Sequence, residues 1–155
     1  MLTGSYCGYH VVDWSDDADA CHLRDFVDAH PDVFRGHVVA IASFDSGPLQ
    51  LAPDELEMGW FSAGGVAYTS SVSDPQSIPI GEWDEWYVFD TRPPAIPIRA
   101  FVNYYGFSPL KSEMPEHAAF WAQISALKPL HVVGDGDFLY FVTRDQEAFR
   151  RVAAA

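Results

Sequence analysis

Residues 130–143 constrain the fold more than any other stretch of this chain. Two short apolar runs, 130–133 and 137–143, flank Gly134-Asp135-Gly136. A glycine-bearing turn between strand-like runs is a strong short-range signal for a β-hairpin. A hairpin joins antiparallel neighbours, so at least part of any sheet here is antiparallel.

Further strands are predicted over residues 6–14, with Gly8 as a bulge, and over 37–44, 64–70, 82–89 and 98–105. Pro93, Pro94 and Pro97 keep residues 90–97 out of any central strand, and 71–81 reads as a loop. A first helix is expected after the SDDAD segment. Ser15 or Asp16 can cap it, Asp17 and Asp19 favour the N-terminal dipole, and Leu23, Phe26, Val27 and His30 form its apolar stripe. Arg24 and Asp28 can pair on its wet side, and Pro31 closes it. Pro53-Asp54-Glu55 reads as the first turn of a short helix ending near Gly59. Pro115 opens a longer helix with Phe120, Trp121, Ile124 and Leu127 on its buried side, which Lys128 and Pro129 end. Thr143 with Gln146 can box the last helix, which Phe149 and Val152 dock, leaving residues 153–155 as a frayed tail. Connections are short and no repeat or linker is visible. These elements predict an α+β fold: one compact acidic domain over 1–155, a mostly antiparallel sheet of five to six strands packed against two to three helices.

At 155 residues and 48% hydrophobic content the chain can bury a real core, which argues against disorder. No signal-peptide pattern and no apolar run of roughly 18 residues occurs, so a cytoplasmic protein without a membrane partner is expected. The net charge of -13 repels a phosphate backbone and argues against direct nucleic-acid binding. Asp and Arg enrichment can reflect genome composition or salt adaptation, but the placement of the charge is more specific. Residues 1–35 hold seven acids against two bases, 36–98 nine against one, and 99–155 six of each. That asymmetry suggests a basic partner.

Catalytic signatures are sparse. The six histidines form no HxH or HExxH pattern, and there is no CxxC. Cys21 and His22 are adjacent and diverge on a helix, while Cys7 and His10 face opposite sides of a regular strand. No metal or cofactor is expected. Cys7 and Cys21 read as small buried or half-buried thiols rather than a disulfide framework. No GxSxG elbow and no phosphate-binding glycine loop is present. Asn103 interrupts an apolar run and needs a hydrogen-bond partner if buried.

The richest segment is 82–90. In strand register Glu82, Asp84 and Trp86 share one face, and Trp83, Glu85 and Tyr87 share the other. Two acids beside aromatics fit a glycosidase-like carboxylate pair. They also fit a binding patch in which Trp83, Asp84, Glu85, Trp86, Tyr87 and Asp90 hold a basic protein, with Glu82 and Asp74 on the rim. Trp86 and Phe89 read more readily as core, and Trp83 as either core or interface. The preferred expectation is a noncatalytic protein-binding protein of immunity or inhibitor type. A compact acidic α+β profile is common among such bacterial proteins, a likeness of composition alone. The alternatives are a small hydrolase, using a carboxylate pair or a Cys–His pair, and a structural or homo-oligomeric subunit.

Overall fold

A computed structural model describes residues 1–15, 22–43, 56–61, 64–69, 71–78, 80, 84–91, 98–101 and 107–155. Eight strands lie in one sheet in the order β1-β2-β8-β7-β6-β3-β5-β4, with every neighbouring pair antiparallel. They are β1 (Leu2–Tyr6), β2 (Tyr9–Asp13), β3 (Val38–Ser43), β4 (Leu56–Phe61), β5 (Gly64–Thr69), β6 (Asp84–Phe89), β7 (His131–Asp135) and β8 (Leu139–Thr143). Three helices complete the α+β domain: α1 (Leu23–Ala29), α2 (Pro115–Leu127) and α3 (Gln146–Ala154). Short 3-10 turns stand at Pro31–Val33 and Pro75–Ser77. Among the described residues no helix is long and apolar enough to cross a membrane.

Strand alternation sends successive side chains to opposite faces, and both faces are covered. On one face Val12, Val39, Ile41, Trp86, Val88, Val133 and Phe141 pack under α1 and α3, which contribute Leu23, Phe26, Val27, Ala148 and Val152. On the other, Tyr9, Val11, Tyr87, Phe89, Val132, Tyr140 and Val142 pack under α2, which contributes Phe120, Trp121, Ile124 and Leu127. Double coverage explains why all six residues of β6 are buried, acids included.

The α+β class with an antiparallel sheet is the one expected, and the two outermost strands are where the local reading changes. Residues 6–14 are not one strand with a bulge. They form the turn and second arm of a hairpin, with Cys7 (φ 51°) and Gly8 (φ 81°) as a two-residue turn closed by Tyr6 opposite Tyr9. Positive φ at both positions is the type I′ geometry that fits the twist of a hairpin. Cysteine is a poor residue there because its Cβ crowds the left-handed region. Cys7→Asn is therefore expected to stabilise the fold by roughly 0.5 kcal/mol, read as a higher urea midpoint. Leu56–Phe61 is a strand, not the end of a short helix, because it pairs along its whole length with β5. Residues 98–101 carry no strand; Ile98 and Phe101 instead pack into the α2-side core.

Helix ends differ in detail. α1 starts at Leu23, where the Asp25 carboxylate accepts the His22 N–H at 3.1 Å and Asp135 accepts the Leu23 N–H at 3.0 Å. It ends before Pro31, as expected, with the His30 N–H on the Phe26 carbonyl. Arg24 does not pair with Asp28. It reaches the carbonyls of Gln76 and Ile78, at 3.1 and 3.2 Å. α2 begins at Pro115 and ends with Lys128 in the left-handed conformation. The N-cap of α3 is Asp145, which accepts from Glu147 and Ala148, rather than a Thr143–Gln146 box. Helix α3 runs through Ala154, and the Ala155 N–H donates to the Val152 carbonyl. The cap expected at Asp16 lies outside the described residues.

Candidate functional site

The strand register builds a polar row across the α2 side of the sheet. Asp13 on β2 faces Tyr140 on β8, Tyr140 faces Gly134 on β7, and Gly134 faces Glu85 on β6. Gly134 lies within β7 and not in the hairpin turn, which falls instead on residues 136–138. Its missing side chain is what lets Tyr140 lie flat across β7. A Cβ at Gly134 would meet the Tyr140 ring at 2.3 Å. Across that glycine the Tyr140 hydroxyl reaches the Glu85 carboxylate and donates to it.

Glu85 also accepts from the Tyr87 hydroxyl and, at 3.2 Å, from the Phe101 N–H. All three partners donate, as an acceptor-only carboxylate requires. Gln123 of α2 donates to the Tyr87 oxygen at 2.7 Å, which ties the network to the helix. Burial, and after it the negative charge of Glu85, pushes both phenols well above the usual tyrosine range, so they remain donors. At the β2 end of the row Asp13 is equally buried; it accepts from the Ser108 hydroxyl and, at 2.8 Å, from the Ser15 N–H.

These facts relocate most of the patch read from the sequence. Asp84, Glu85, Trp86 and Tyr87 have no exposed area. Asp84 and Trp86 share the α1/α3 face, with the indole Nε1 3.5 Å from the carboxylate. Glu85 and Tyr87 share the other face, as strand register required. The sheet itself therefore separates the two adjacent acids and prevents them from working as a carboxylate pair. Asp90 is exposed, at 3.5 Å from the His37 ring and 3.6 Å from Arg144. Trp83, Glu82, Cys21 and Asn103 lie outside the described residues. Cys7, read as a buried or half-buried thiol, is free and exposed at the hairpin tip.

A second polar group sits on the α1/α3 face. His131 is buried, with Nδ1 at 2.7 Å from the Thr143 hydroxyl and its ring 6.3 Å from that of His37. Burial, and then the neighbouring His37, depress His131 from 6.5 to about 3. The unfolded chain takes up this proton near pH 6.5 and the folded chain resists it until about pH 3. The stability it contributes is complete above pH 6.5 and drains away as pH falls between those values, by roughly 3 kcal/mol at pH 4. In His131→Gln that part of the acid slope should vanish, as urea titrations at pH 7 and pH 4 would show. Among the described residues no group of three or more His, Cys, Asp or Glu is arranged to hold a metal ion.

Four exposed acids of the described residues gather elsewhere. Asp25 and Asp28 on α1, Asp32 on the first 3-10 turn and Asp74 at the cap of the second are all exposed. Arg24 bridges α1 to the second turn, and Arg35 joins Asp32, at 3.1 Å, to the Ser73 carbonyl, at 3.4 Å, so the four aspartates belong to one corner. Sequence reading missed this corner because its members are scattered from position 25 to 74. No family model matches the chain, and no curated protein or solved structure matches it.

Proposed function

We propose that this is a noncatalytic binding protein, of immunity or inhibitor type, that docks a basic protein partner on the α1 corner. The observation that carries this reading is the gathering of four exposed aspartates, Asp25, Asp28, Asp32 and Asp74, around two arginines, of which Arg24 is engaged by two of the protein's own carbonyls and Arg35 by the Ser73 carbonyl and Asp32. Such a corner sets four exposed carboxylates against two guanidinium groups, a net negative charge that steers an approaching basic surface. The interior acids support the same reading from the other side, since Glu85 and Asp13 are committed to internal donors. On this reading the protein works in the cytoplasm, without cofactor, membrane or nucleic acid.

The test is affinity capture from the native cell on immobilised full-length chain, eluted with a salt ramp. A basic protein should be retained at low salt and released as ionic strength rises, because exposed pairs are screened. The variant Asp25→Asn/Asp28→Asn/Asp32→Asn should lose it, while Glu116→Gln/Glu147→Gln, on α2 and α3, should keep it. Capture that both variants preserve would refute the corner.

A further inference from the structure

We propose that β1 is a self-association edge, on which a second copy of this chain pairs antiparallel about a two-fold axis through Gly4. β1 is the end of the sheet and pairs only with β2 among the described residues. Sheet edges are ordinarily guarded by Lys, Pro or a bulge, and Leu2–Tyr6 (LTGSY) has none of them. Residues 1–12 contain no Asp, Glu, Lys or Arg at all, in a chain of net charge -13. Two copies can therefore meet there without forcing like charges together. Met1, Leu2 and Tyr6, all exposed large hydrophobic side chains, lie on or beside this strand.

The hairpin turn decides which backbone groups are free. A two-residue turn closes on a hydrogen-bonded pair, here Tyr6 with Tyr9, and hydrogen-bonded and open pairs then alternate along the ladder. Tyr6, Gly4 and Leu2 spend their N–H and C=O on β2, so Thr3 and Ser5 direct theirs outward. The Ser5 hydroxyl lies 3.1 Å from the His10 ring, as the closer side chains of an open pair allow.

The occupant is named by the strand's own near-palindrome, which runs large, small, Gly, small, large. With Gly4 on the axis, Thr3 of each copy exchanges both backbone bonds with Ser5 of the other. Four hydrogen bonds result, and Leu2 stands opposite Tyr6 at both ends, an aliphatic–aromatic cross-strand pair. Tyr6 is held for this by the α2 side chains His117 and Trp121, with ring centroids 5.1 and 4.8 Å away. A five-residue seam buries less than the roughly 800 Å² per partner of a standard stable interface, so the dimer is weak.

Sedimentation equilibrium of the full chain between about 10 µM and about 1 mM tests it, with an expected Kd on the order of 100 µM. Thr3→Pro removes an outward N–H and no bond to β2. Leu2→Asp sets a carboxylate against Tyr6 and leaves the backbone alone, so it serves if Thr3→Pro does not fold. Each should raise Kd at least about tenfold, and amide exchange at Thr3 and Ser5 should slow as the wild type is concentrated. A monomer throughout the range, a dimer indifferent to the folded variants, or unchanged exchange at both amides would overturn the proposal.

Discussion

Gly134→Ala should leave this chain unfolded or nearly so. The added methyl would sit 2.3 Å from the Tyr140 ring, and that ring is fully buried beneath α2. Moving it aside breaks the Tyr140 bond to Glu85, strands the hydroxyl in the core and leaves the carboxylate one donor short. Overpacking costs about 1–3 kcal/mol, and a stranded buried polar group a further 1–3 or so. The sum, roughly 4 kcal/mol, is most of what holds a marginal domain together. Ordinary glycine replacement in a strand offers the contrast, since it improves β-propensity and is often stabilising. The measurement is a urea unfolding curve of Gly134→Ala beside one in the Tyr140→Leu background. There the methyl has room, and the second substitution should cost less than about 1 kcal/mol. An equal cost in both backgrounds would show that the tyrosine ring is not what demands a glycine at this position.

That glycine also marks the limit of what the chain reveals without coordinates. Gly134-Asp135-Gly136 reads locally as a turn, because two glycines and an aspartate are turn residues. The hairpin was legible for that reason, but the place of its turn was not. Gly134 answers to a ring six residues ahead, and Asp135 answers to the first turn of α1, whose Leu23 N–H it accepts. The N-terminal hairpin was hidden in the same way, since Cys7-Gly8 replaces the Asn-Gly that advertises a type I′ turn. Long, strongly patterned elements such as β3, β6 and α2 were plain. In β6 even the division of its faces was plain, Asp84 with Trp86 and Glu85 with Tyr87. Its depth was not, because acids in an aromatic run read as a wet surface unless the donors are known. Two of the donors to Glu85 come from far along the chain, Tyr140, 55 residues away, and Phe101, 16 away. The α1 corner needed the same long-range knowledge, with Arg24 tying residues 24 and 76 together.

Glu85→Leu should cost about 4 kcal/mol, and further substitutions should recover part of that loss. Removing the carboxylate takes the Glu85 acceptor from the Tyr140 hydroxyl and the Phe101 N–H in a dry core and leaves the Tyr87 hydroxyl with the Arg99 carbonyl at 3.3 Å, and each orphaned donor costs about 1–3 kcal/mol. Replacing the phenols as well, in Glu85→Leu/Tyr87→Phe/Tyr140→Phe, removes both hydroxyl donors with the carboxylate and leaves the Phe101 N–H as the donor that lost Glu85. A buried polar group exchanged together with its partners for apolar ones of similar shape is often tolerated. The triple variant should accordingly unfold at a higher urea concentration than Glu85→Leu alone, although it carries more changes. If it is the less stable of the two, the two hydroxyls stabilise the fold through bonds that do not depend on Glu85, such as that of Tyr87 to the Arg99 carbonyl. The same pair of proteins separates interior from exterior in the binding reading. Glu85 has no surface to offer, so the folded triple variant should still retain a basic partner in the salt-ramp capture. Loss of that partner from a stable triple variant would place the binding determinant back in the 82–90 segment and away from the aspartates around α1.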